Sequence, residues 1–125
     1  MLERPLERRR FLVVEDEYLI AAELLASLED AGATVFGPVS DLDRALEIAT
    51  ANFPIDGAVL DINLQSKMVY PAAEKLADQK IPLVFVTGYE CRSIPSQFAG
   101  YPCLTKPINE RELIQLLAST KAVDA

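Results

Sequence analysis

The chain has 125 residues, half of them hydrophobic and a quarter charged, which fits one globular domain and excludes wholesale disorder. Lys and Arg number 12 against 19 Asp and Glu, and the first ten residues hold four Arg with two Glu, so residues 11–125 carry 8 basic and 17 acidic groups, a balance of −9 that argues against direct binding of nucleic acid or an anionic membrane. Histidine is absent, which removes Ser-His and Cys-His catalysis and the commonest zinc ligand together.

Residues 1–9 read as a flexible lead-in, since they contain no apolar central stretch of the kind a secretory signal needs. A basic contact arm is the alternative for them. Phe11-Leu-Val-Val14 is a continuous apolar run broken by Glu15-Asp16-Glu17, the pattern of a buried parallel strand. From about Glu17 to Ala31, Ile20, Leu24, Leu28 and Ala31 recur at helical spacing, and Gly32 follows as a stop. Thr34-Val-Phe36 is a short second strand closed by Gly37-Pro38. Ser40 then caps a helix with Asp43 three residues on, its apolar face formed by Leu42, Ala45, Leu46 and Ala49.

Gly57-Ala-Val-Leu60 is a third strand ending at Asp61. Beyond the polar stretch Gln65-Ser-Lys67, Pro71 stands where the first turn of a helix accepts proline. Pro82-Leu-Val-Phe-Val86 is a fourth strand ending in Thr87-Gly88, and Glu90–Ala99 is ambiguous because Pro95 interrupts any useful helix. Tyr101–Leu104 is a fifth strand leading into Thr105-Lys106-Pro107, and Asn109 caps a last helix with Glu112 completing a capping box. Five strands alternating with helices predict an α/β domain: a doubly wound, five-stranded parallel sheet with helices on both faces. Cys91 and Cys103 cannot make a disulfide framework, so a reducing, cytoplasmic setting is the easier reading.

In such sheets the working crevice lies at the carboxyl ends of the strands. Strand one delivers Glu15, Asp16 and Glu17 there, strand three Asp61, strand four Thr87 and strand five Lys106. Taken singly, each is an ordinary cap, turn or surface residue. Together they gather carboxylates that repel one another unless a cation lies among them, and a hard divalent ion such as Mg2+ suits oxygen ligands that also meet a phosphate.

Leu12-Val-Val-Glu-Asp-Glu17, Leu60-Asp-Ile-Asn63, Val86-Thr-Gly88 and Thr105-Lys-Pro107, in this order and spacing, resemble the receiver domain of two-component response regulators over about residues 10–120. Pro82-Leu-Val-Phe-Val-Thr-Gly-Tyr89 resembles the variant fourth-strand motif of a subgroup known from alphaproteobacterial stress signalling, whose members are often stand-alone receivers. The resemblance implies a flavodoxin-like strand order, 2-1-3-4-5, and a receiver spanning 10–121 with no output domain. It implies that Asp61 accepts a phosphoryl group from a sensor histidine kinase or a histidine phosphotransfer protein. Asp16, Asp61 and the backbone carbonyl of Asn63 would bind Mg2+, and Glu15, commonly Asp in the family, would reach it through water. Lys106 would contact the phosphoryl oxygens, Thr87 would swing in to hydrogen-bond one of them, Pro107 would follow a cis bond, and Glu17 would only start the helix.

The domain would catalyse nothing beyond its own phosphorylation and dephosphorylation, and would signal as a monomer or weak dimer through a downstream protein partner. Where the common receiver has an aromatic switch, this sequence has Cys103, read as a small buried hydrophobe. Readout is therefore expected from ordering of Thr87–Ala99 around Tyr89. A degenerate receiver serving only as an interaction module is the alternative. A magnesium phosphatase of the haloacid-dehalogenase type fits poorly, because it wants a second Asp where Asn63 stands.

Overall fold

The computed structural model describes residues 4–120; the expectations for residues 1–3 and for a domain end at 121 lie outside that range. In chain order the elements are β1 (Arg10–Val14), α1 (Tyr18–Asp30), β2 (Thr34–Val39), α2 (Leu42–Thr50), β3 (Gly57–Asp61), β4 (Asn63–Leu64), β5 (Lys67–Met68), α3 (Tyr70–Asp78), β6 (Leu83–Thr87), β7 (Cys103–Thr105) and α4 (Glu110–Ser119). The main sheet runs β2-β1-β3-β6-β7 with every pairing parallel. This is the expected 2-1-3-4-5 order once the small β4–β5 hairpin is set aside.

Period-two alternation explains the two-sided burial. Leu12, Val14, Leu60 and Phe85 face the core shared with α2 and α3, where Ala45, Ala49, Ala72 and Leu76 pack. Phe11, Val13, Val59, Val84 and Val86 face the other, against Leu24, Leu28, Leu113 and Leu117 of α1 and α4. Every residue of β3 and β6 is buried, and so their sequences are continuous rather than alternating apolar runs.

Several local expectations change. β2 does not stop at Gly37-Pro38 but runs on to Val39, with a register shift between Leu12 and Val14. Gly37 is required there: at φ +101° an added Cβ would lie 2.7 Å from both Val13 O and Val39 N. The shift brings Val39 O to the backbone N–H of Glu15, at 2.9 Å. Asp41, not Ser40, caps α2, accepting from Arg44 N at 2.8 Å. At α4 the expected cap forms, Asn109 Oδ1 accepting from Glu112 N at 3.0 Å. Gln65 and Ser66 both take positive φ in the unforeseen β4–β5 turn, a geometry that normally advertises itself as Asn-Gly.

The lead-in is not loose where the structure describes it. Residue Leu6 is wholly buried in the α1–α4 core and donates its N–H to Ala31 O at 2.8 Å. The Arg9 guanidinium donates to Leu117 O at 2.8 Å and Thr120 O at 2.7 Å, satisfying carbonyls that the end of α4 leaves open. Cys103 is also corrected. It is half-buried and disulfide-bonded to Cys91, with Cα atoms 5.9 Å apart. As Pro95 foretold, no regular helix fills Glu90–Ala99; two three-residue 3-10 helices, Cys91–Ser93 and Ser96–Phe98, take its place. Phe98 anchors them, stacking on Tyr70 at 5.5 Å and meeting Phe85 edge-on at 5.4 Å.

Candidate functional site

Glu15 follows β1 directly and is 2% exposed. Its Oε2 accepts from Glu17 N and from Lys106 Nζ, each at 3.1 Å, while its buried Oε1 has no hydrogen-bond partner. Asp16, half-buried beside it, is held by the β4–β5 turn: Gln65 N donates to Asp16 Oδ2 at 3.0 Å. Asp61 ends β3 at 4% exposure, and its Oδ2 accepts from Lys106 Nζ at 3.3 Å. The Lys106 backbone is fixed in turn, its N–H donating to Thr87 O at 2.8 Å, and the Lys106–Pro107 peptide is cis.

Asp16, Glu17, Asp61, Asn63, Gln65, Gly88, Tyr89 and Lys106 line an open crevice of about 450 Å³ at the carboxyl edge. Thr87 is buried at the end of β6, with its Oγ1 accepting from Tyr89 N at 3.0 Å. Every residue expected at this edge is therefore there, though the Thr87 hydroxyl is engaged with its own loop. Glu17 was expected at this edge only as the start of the helix, and its bond to Lys106 was not foreseen. Its side chain makes no cap bond to α1 and instead takes Lys106 Nζ at 2.6 Å. The available signal was adjacency, since a residue next to Asp16 in a strand-end loop shares its neighbours. The Gln65 N–H left no signal, because a backbone donor carries no residue type.

Electrostatically the site is overloaded with negative charge. Four carboxyl groups, those of Glu15, Asp16, Glu17 and Asp61, crowd around the one ammonium of Lys106. Burial, reinforced by the adjoining Glu15 carboxylate, pushes Asp61 up to about 8 although Lys106 opposes the shift. At Lys106 burial pulls the other way from the ion pairs; Glu17, Glu15 and Asp61 outweigh it and hold the ammonium above its usual range. Glu15, Asp16, Glu17 and Asp61 each offer an oxygen within 4.8 Å of the others. All-oxygen donors, excess negative charge and the unpartnered Glu15 Oε1 fit a hard divalent cation.

No family model matches the chain. The transcriptional regulatory protein PdtaR of Mycobacterium tuberculosis is 29% identical over 110 residues, 85% of this chain, and the chain spans about half (53%) of that relative's length. SdrG from Sphingomonas melonis Fr1 is 39% identical in sequence and shares the fold at a TM-score of 0.77, over 88% of this chain and 93% of that one. A response regulator receiver protein from Sinorhizobium medicae WSM419 matches at a TM-score of 0.76 and 28% identity, over 91% and 98%. The chain is a response regulator receiver domain. As a receiver it belongs to two-component signalling, and its acidic crevice lies at the strand ends between β1, β3 and β7. Among the described residues no helix is long and apolar enough to cross a membrane.

Proposed function

We propose that this receiver takes a phosphoryl group on Asp61 from a phosphohistidine of a sensor kinase or phosphotransfer protein. The observation that carries the reading is the Asp61 carboxylate, buried at a strand end with an ammonium 3.3 Å away and three more carboxylates alongside. An Asp61 oxygen attacks phosphorus, the new O–P bond forms as the N–P bond breaks, and the electron pair returns to the partner's imidazole. Lys106 neutralises a phosphoryl oxygen, leaving the Glu17 carboxylate to find another partner. Thr87 exchanges its bond from Tyr89 N for one donated to the phosphoryl group.

Asp16, Asp61 and the Asn63 carbonyl would hold Mg2+, with Glu15 reaching it through water. The ion would supply charge neutralisation to the transferring oxygens. No separate substrate is turned over; the reaction ends on the chain itself. The fourth-strand run Pro82–Tyr89 supports placement in the alphaproteobacterial variant subgroup, acting in the cytoplasm as a monomer or weak dimer on a downstream protein.

Incubation with Mg2+ and acetyl phosphate, followed by intact mass, tests the reading. One added phosphoryl unit, absent in Asp61→Asn and after EDTA, is the expected result. Uptake that survives Asp61→Asn removes Asp61 from the role, and no uptake by the wild type favours the degenerate interaction module.

A further inference from the structure

The disulfide lies outside the charge cluster, yet both of its ends adjoin it in sequence. Cys91 follows Thr87 by four residues, and Cys103 precedes Lys106 by three. Cys103 is on the sheet, in register with Phe85 of β6. Cys91 opens a three-residue 3-10 helix with no buried residue, whose backbone bonds are local: Ser93 N to Glu90 O, and Ile94 N to Cys91 O. Packing against the core resumes only at Ile94 and Phe98. Gly88, Tyr89, Glu90, Arg92 and Ser93 are all exposed. The cysteine pair, with Cys91 Sγ 3.7 Å from Thr105 Oγ1, is thus the tie that holds the first half of this segment to β7.

We infer that Cys91 and Cys103 form a redox-modified site, oxidised by a low-molecular-weight disulfide such as glutathione disulfide, that sets how far residues 88–94 respond to phosphorylation. The coupling rests on the reading of Asp61 as phosphoacceptor; the cysteine chemistry does not. One protein thiolate attacks glutathione disulfide, releasing a glutathione thiolate and leaving a mixed disulfide on the chain. The second protein thiolate displaces the other glutathione and closes the Cys91–Cys103 bond. Two protein thiols are oxidised, one glutathione disulfide is reduced to two glutathiones, and the two thiol protons pass to the departing thiolates. Both cysteines are half-buried, within reach of a small reagent.

Closing the bond fixes a 12-residue separation and removes freedom that the opened segment would otherwise have. An oxidised receiver presents Tyr89 in one arrangement whether or not Asp61 carries phosphate. A reduced one can order the same residues around the phosphoryl group and release them on its loss.

Two measurements test this on the same chain. Thiol alkylation read by intact mass, across glutathione buffers from fully reduced to fully oxidised, should pass from two labels to none. Hydrogen exchange, with Mg2+ and beryllofluoride added as phosphoryl mimic, should show protection of residues 88–94 rising at least about tenfold more in the reduced protein than in the oxidised one. Cys91→Ser should match the reduced form in every buffer. Two labels at every glutathione ratio would overturn the site. Equal protection changes in both redox states would overturn the coupling. Acetyl phosphate uptake, followed in both states, separates that result from failure of the Asp61 reading: a domain that takes up no phosphate and ignores beryllofluoride in either state loses the coupling together with the phosphoacceptor role.

Discussion

On the β1–β3–β7 side of the crevice, Glu15, Asp61 and Lys106 stand at or just beyond strand ends, Glu15 and Asp61 are buried, and each has at least one bond to another element. On the other side, Gly88–Ala99 consists of two three-residue helices, a proline between them and one fully buried side chain, Phe98. The first region is over-determined, and its charges cannot drift apart to relieve their repulsion. The second has few contacts to lose. Low local stability is what a segment that must rearrange requires, while charge preorganisation needs the reverse. On the proposed reading, the receiver divides the two demands between adjacent strand ends.

The largest effect should come from Asp61→Asn, which keeps the shape but removes the nucleophile. Phosphoryl uptake from acetyl phosphate should fall to background by intact mass, and chelation with EDTA should do the same to the wild type. Next is Phe98→Ala, which would extend the weakness of the pliable side into the core. Loss of a buried ring in contact with Tyr70 and Phe85 should cost about 3–5 kcal/mol in denaturant unfolding. A cost below about 1 kcal/mol would mean that the segment is not anchored there.

A third test uses pH against the rigid side. Folded Asp61 keeps its proton to about pH 8, whereas its ordinary value is 3.8. Between these limits the folded state binds more protons than the unfolded one, so this group makes stability fall as pH rises from about 4 to about 8. Without divalent ions, Asp61→Asn should therefore melt above the wild type at pH 8, by roughly 4 °C for each kcal/mol of repulsion relieved. At pH 4 the two should converge, and Mg2+ should raise the wild type more than the variant. The smallest effect is expected at Arg9→Ala, about 1 kcal/mol for the lost bonds to the α4 carbonyls, with phosphoryl uptake unchanged.

The strands and the carboxyl-edge residues were legible because both leave local marks. Phe11–Val14 and Pro82–Val86 are apolar without interruption because helices cover both faces, and each ends where a polar residue enters the crevice. What escaped depends on partners far along the chain. Leu6 is buried by Ala31 and the helices beyond it, and nothing in residues 1–9 states that. The Cys91–Cys103 pair depends on β7 lying beside the loop after β6, a consequence of topology rather than spacing. The Gln65-Ser66 turn lacks the residues its backbone prefers, and β2 passes through a proline that should have ended it because the bulge at Gly37 absorbs the misfit.

The grip of Arg9 on Thr120 O has a practical side. The start of β1 and the end of α4 meet at the amino edge of the sheet, and a five-residue strand spans about 17 Å from there to the acidic crevice. Arg9 and Thr120 therefore lie at the pole opposite the acidic crevice. A dye or affinity handle placed beside them would leave the crevice open to a visiting protein. The same proximity invites circular permutation: a short Gly-Ser bridge from Thr120 back to the residues before Arg9, with new termini cut between Arg92 and Ser96, would place both fresh ends on the pliable side and leave Glu15, Asp61 and Lys106 at the ends of uncut strands.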